Sequence, residues 1–191
     1  LVPHKGPVVT LLGREEAAQL YRVRGALEGL ACSEFTQRAS DEQRQELFDI
    51  FARLEAMVGK EEPNALVEAK NDFYRCLLNG TANEVLESMF TQLNNRIVQL
   101  RRLTLSASGR FPDTLKEIGR VVNAIRAGDG RRARDMAEAH VAAAAEVVQR
   151  RFVNAGENDF CFCETHDDSP FMGEKCARRD GRRVPAHPAW L

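Results

Sequence analysis

As far as Phe152, apolar residues recur at the three-to-four spacing of helices, and the breaks between stripes fall on residues that start or stop helices. Leu20, Val23, Leu27, Leu30 and Ala31 mark a first helix from Arg14 to about Arg38; Gly13 precedes it, and Glu15 and Glu16 open it at the positive end of the dipole. Ser40 and Gln43 have capping-box spacing, and Leu47, Ile50, Phe51, Leu54, Met57 and Val58 form one face up to a stop at Gly59. After Pro63 a third stripe, Leu66, Phe73, Tyr74 and Leu77, runs to Asn79-Gly80, with Lys70 at an inward-facing position. Asn83 caps a fourth, Leu86, Met89, Phe90, Leu93, Ile97 and Leu100, expected to be central and to end near 106–109. Leu115, Ile118, Val121, Val122 and Ile125 make a fifth, closed by Gly128. Asp129 caps a sixth through Ala133, Ala137, His140, Val141, Ala144 and Val148. The short link between these last two implies an antiparallel pair.

Six such stripes without a fixed repeat predict an all-α antiparallel bundle of about six helices. Sparse glycine, proline and aromatics up to about residue 152, with abundant Ala, Leu, Glu and Arg, point the same way. Beyond Phe152, Asn, Asp, Gly, Pro and Arg prevail, so 153–191 reads as an irregular, loosely ordered tail. With 27 basic and 28 acidic residues, no global field draws the chain to nucleic acid or an anionic membrane. No apolar stretch approaches the roughly 18 residues of a membrane span, and no signal peptide opens the chain, so a cytoplasmic protein without membrane partners is expected. Cys32 and Cys76 fall inside helical patterns and the other three crowd the end, unlike a secreted disulfide framework.

Leu20-Tyr21-Arg22-Val23-Arg24-Gly25-Ala26-Leu27-Glu28-Gly29-Leu30-Ala31 and Ala124-Ile125-Arg126-Ala127-Gly128-Asp129 resemble the FCD effector domain of GntR-family bacterial transcription regulators. Between them, Asn83-Glu84-Val85-Leu86, Gly109-Arg110 and Ala137-Glu138-Ala139-His140-Val141 fall in the family's order, and the likeness spans about residues 10–152. Residues 1–9 resemble the last strand of the family's winged helix-turn-helix. The resemblance therefore implies a ligand-sensing, homodimerising domain that reaches operator DNA only through a missing N-terminal domain, since no recognition helix is present.

Many FCD domains hold a divalent metal through an Asp and a His four residues apart, then two further His on the last two helices. Aligned on Phe73-Tyr74-Arg75, those positions carry Lys70, Tyr74, Ile118 and His140. A protonated lysine and an isoleucine offer no lone pair, and a tyrosine beside one imidazole is a poor zinc site, so the family's metal is expected to be lost and no cofactor takes its place. The resemblance then implies an effector site of Arg24, Lys70, Tyr74, Ile118 and His140, with Lys70 and Arg24 capturing a small carboxylate directly. Against this stand a Lys70 that lies across apolar neighbours with its ammonium in water, and a His140 that is a hydrogen-bonded core residue.

Other chemistry is thin. Cys161, Cys163, His166 and Cys176 have the composition of a Cys₃His zinc site at unusual spacing. No nucleophile with a base, pocketed carboxylate pair or open metal position appears in the helical region, so no enzyme is expected. A dimerisation-only module that has lost its effector site is the alternative.

Overall fold

The structure, a computed structural model, describes residues 10–59, 63–105, 110–155 and 159–162. The wing-like segment 1–9, and Cys163, His166 and Cys176 of the tail, lie outside them. A short strand β1 (Thr10–Gly13) leads into α1 (Arg14–Arg38), α2 (Asp41–Glu55), α3 (Pro63–Asn79), α4 (Glu84–Leu105), α5 (Arg110–Arg126) and α6 (Gly130–Ala155), then β2 (Asp159–Phe162). The architecture is all-α; among the described residues the one departure is β1 pairing antiparallel with β2, Thr10 opposite Phe162 and Gly13 opposite Asp159. Part of the segment expected to be loosely ordered is thus regular: α6 runs three residues past Phe152, and the aromatic alternation Phe160, Phe162 suits a strand.

The helix boundaries follow local chemistry. Ser40 accepts from Gln43 N while the Gln43 side chain accepts from Ser40 N, a complete capping box. Asn83 Oδ1 accepts from Leu86 N at 3.0 Å, and Asp129 Oδ1 from Arg132 N at 2.9 Å. Gly128, at φ 70°, makes the tight turn between α5 and α6.

Most of the described stripe residues are buried and Leu30, Met57 and Leu93 are partly so, but Val23 (46 %), Val58 (49 %) and Met89 (48 %) face outward. On α1 the inward positions beside Leu20 and Leu27 belong instead to Tyr21, Arg24 and Glu28. The expectation that α4 is the central helix is also corrected. α1 fills that place, packing against α3, α4, α5 and, most extensively, α6. Small residues allow this approach: a Cβ on Gly25 would touch Val141 at 3.7 Å, and one on Gly29 would strike Glu138 at 2.8 Å. The apolar core has two parts, a large one around Phe35, Leu47, Phe51, Leu77, Val122 and Ile125, and a smaller one joining Leu20 and Tyr21 to Val148 and Phe152.

Candidate functional site

Between the two apolar parts, α1, α3, α5 and α6 turn charged and polar side chains inward. Arg24 and Glu28 are one turn apart on α1, so they share a face, and both are 1 % exposed. Arg24 Nε donates to Glu28 Oε1 at 2.5 Å, and Arg24 Nη2 lies 3.4 Å from the Tyr74 hydroxyl, which donates to Glu28 Oε2 at 2.8 Å. The guanidinium also sits 5.6 Å from the centre of the Tyr21 ring and 6.0 Å from that of Tyr74. Burial alone would weaken its charge, but the Glu28 carboxylate and the two rings outweigh that and hold it firmly protonated.

Lys70, one turn before Tyr74 on α3, is 2 % exposed, its Nζ 6.0 Å from the centre of the Tyr74 ring. A lysine stretched out to water is therefore excluded. His140, on α6, is 3 % exposed and faces α5, where Glu117 Oε2 meets its Nδ1 at 2.7 Å. Arg110 clamps the same carboxylate through Nη1 at 2.7 Å and Nη2 at 2.8 Å. Burial opposes ionisation of Glu117, yet the hydrogen bonds from His140 and Arg110 hold its pKa down to about 2. Burial first, then the Lys70 charge, push His140 down to about 4 despite Glu117; Glu28 and Arg24 also act on it. Three nitrogens of this cluster, Arg24 Nη1, Arg110 Nε and His140 Nε2, are buried with no hydrogen-bond partner among the described residues.

Four of the five expected effector residues, Arg24, Lys70, Tyr74 and His140, thus meet through contact or charge. The fifth, Ile118, is buried in the same apolar cluster as Tyr74 and brings no polar atom. His140 is, as the alternative reading expected, a buried and hydrogen-bonded histidine, but the bond engages Nδ1 and leaves Nε2 without a partner among the described residues. Sequence reasoning missed Glu28, Arg110 and Glu117. A signal for Glu28 existed: it follows Arg24 by four positions beside Leu27, on the stripe rather than across from it. Arg110 and Glu117 are seven apart, two helical turns, next to the Ile118 stripe.

The donor set does not fit a divalent metal. The Tyr74 oxygen is engaged with Glu28 and Arg24, Ile118 has no ligand atom, and Lys70 adds positive charge where a cation would sit. Among the described residues no group of three or more His, Cys, Asp and Glu is arranged to hold a metal ion. Of the Cys-rich set only Cys161 lies in a described element, on β2. No described helix is long and apolar enough to cross a membrane.

Fold and interior together define the class: an all-α antiparallel bundle built around a buried charged cluster. The chain belongs to the FCD domain family, which matches it over residues 19–143. The FCD-type reading of its sequence is thereby confirmed. Among solved structures it is similar to the metal-free FCD domain of TM0439, at 14 % identity and a TM-score of 0.63, over 74 % of this chain and 97 % of that one. It is also similar to the GntR protein of Streptococcus agalactiae, at 20 % identity and a TM-score of 0.58, over 68 % of this chain and 58 % of that one. No curated protein matches the chain.

Proposed function

We propose that this bundle is the small-molecule-sensing, homodimerising domain of a cytoplasmic GntR-type transcription regulator, and that it takes a small carboxylate into its interior without a metal. The observation that supports this reading best is Arg24: its Nη1 is buried without a partner among the described residues, beside the buried Lys70 and His140. A buried donor left unmade costs about 1–3 kcal/mol, more when charged, and a ligand carboxylate would recover that cost. Arg24 supplies a directional donor, Lys70 supplies charge, and Tyr74 and His140 orient the rest of the ligand, with Ile118 as an apolar wall.

Signalling follows from where these residues sit. Arg24 is on the helix that continues β1, and His140 is on the helix that leads to β2, so a ligand favouring one packing of α1 on α6 biases the strand pair at their ends. In a two-fold dimer carrying winged DNA-binding heads, that bias sets the spacing of the heads on a palindromic operator.

The test is calorimetric titration of the domain with small mono- and dicarboxylates, native against Lys70→Met. At least one carboxylate is expected to bind the native domain and to lose tenfold or more in affinity in the variant. Equal affinities would remove Lys70 from the site. One observation favours the dimerisation-only alternative: Glu28 already neutralises Arg24. A carboxylate panel that leaves the melting temperature unmoved while the protein stays dimeric would decide for it.

A further inference from the structure

The partners of Glu117 fix which way round His140 carries its proton. A carboxylate gripped through both oxygens by Arg110 stays ionised, and an ionised carboxylate can only accept hydrogen bonds. Its Oε2 stands 2.7 Å from His140 Nδ1, so Nδ1 is the nitrogen that bears the hydrogen. Burial beside Lys70 and Arg24 keeps the ring neutral, and a neutral imidazole has one N–H. His140 Nε2 is therefore a bare lone pair, buried and without a donor among the described residues.

Arg24 presents the opposite polarity. Its Nε is spent on Glu28 and its Nη2 on Tyr74, so the remaining buried group, Nη1, is a cationic donor. The helices bearing the two atoms touch at this level, Gly25 next to Arg24 facing Val141 next to His140. A plain carboxylate satisfies Arg24 but sets its own lone pairs against Nε2. An ammonium would satisfy Nε2 but meet the charges of Lys70 and Arg24. A hydroxyl supplies the donor without the charge.

Resting on the effector site proposed above, we infer that His140 is its specificity-determining residue: an acceptor, aligned by Arg110 and Glu117, that selects hydroxycarboxylates over carboxylates of the same skeleton without the hydroxyl. Arg110 and Glu117 are positioning residues that act through the imidazole.

The experiment is calorimetry of the whole chain with two matched pairs, lactate against propionate and malate against succinate, supported by long-range ¹H–¹⁵N spectra of the His140 ring. The hydroxy member of at least one pair is expected to bind ten times or more tighter, and the spectra to show hydrogen on Nδ1. In His140→Phe the preference within each pair should collapse to within twofold. Should that variant fail to fold, Glu117→Gln gives the second readout. Its amide can donate to Nδ1, which moves the ring hydrogen to Nε2 and should erase or reverse the preference. Equal binding within both pairs, or hydrogen on Nε2 of the native protein, would overturn the selectivity and leave the effector site standing. Binding of neither member of either pair would overturn both.

Discussion

The two halves of α1 face the same bundle interior and are filled in opposite ways. From Ala31 to Phe35 the helix meets apolar side chains so closely that a Cβ on Gly80 would come within 2.4 Å of the Phe35 ring. From Arg24 to Glu28 it meets a tyrosine, and beyond it a lysine and a histidine. The first half gains free energy with each buried methylene. The second removes a charged pair from water, and the attraction between its members seldom exceeds that cost. The charged half is therefore not there for stability, and the apolar half has to supply it.

The largest expected effect breaks the apolar half. Phe35→Ala should lower unfolding free energy by about 4 kcal/mol, the middle of the range for an aromatic deleted from a core. A shift in urea midpoint worth under 1 kcal/mol would show that stability does not reside there. Next, Arg24→Met strands Glu28 and should cost about 3 kcal/mol, whereas Arg24→Met with Glu28→Leu should recover most of the loss. A double variant no more stable than the single one would mean that the pair is itself stabilising.

Acid should weaken the charged half first. The His140 pKa is lowered from 6.5 to about 4, so between those values the unfolded chain takes up a proton that the folded one refuses, and stability falls as pH drops through that window. The loss should be on the order of 2–3 kcal/mol, and His140→Phe should flatten it. Glu117, lowered from 4.5 to about 2, extends the same trend: its contribution is present above 4.5 and is lost as pH falls towards 2. Denaturation midpoints at pH 7, 5.5 and 4 check the slope. The smallest effect lies outside both halves. Ser40→Ala removes the capping-box acceptor and should cost about 1 kcal/mol, with ligand affinity unchanged.

The apolar half was legible in the sequence because burial there follows one rule. Leu47, Ile50, Phe51 and Leu54 recur at helical spacing, and Ser40, Asn83, Asp129 and Gly128 punctuate them through local bonds that need no tertiary context. The charged half was legible only through family likeness, and only in part. Arg24, Lys70, Tyr74 and His140 could be carried over by position. Glu28, Arg110 and Glu117 could not, because their burial depends on partners 46, 7 and 23 residues away. Val23 misled for a related reason: its stripe position on α1 was judged by hydrophobicity, whereas the helix turned that face outward to bring Arg24 in.

The central claim is that the charged interior captures an anion with its own cations rather than through a metal. Calorimetric titration of the domain with malate, once after exhaustive chelation and once with added zinc, tests it most directly. The same affinity in both, lost in Lys70→Met, is the predicted result. Binding that appears only with zinc and survives Lys70→Met would contradict it.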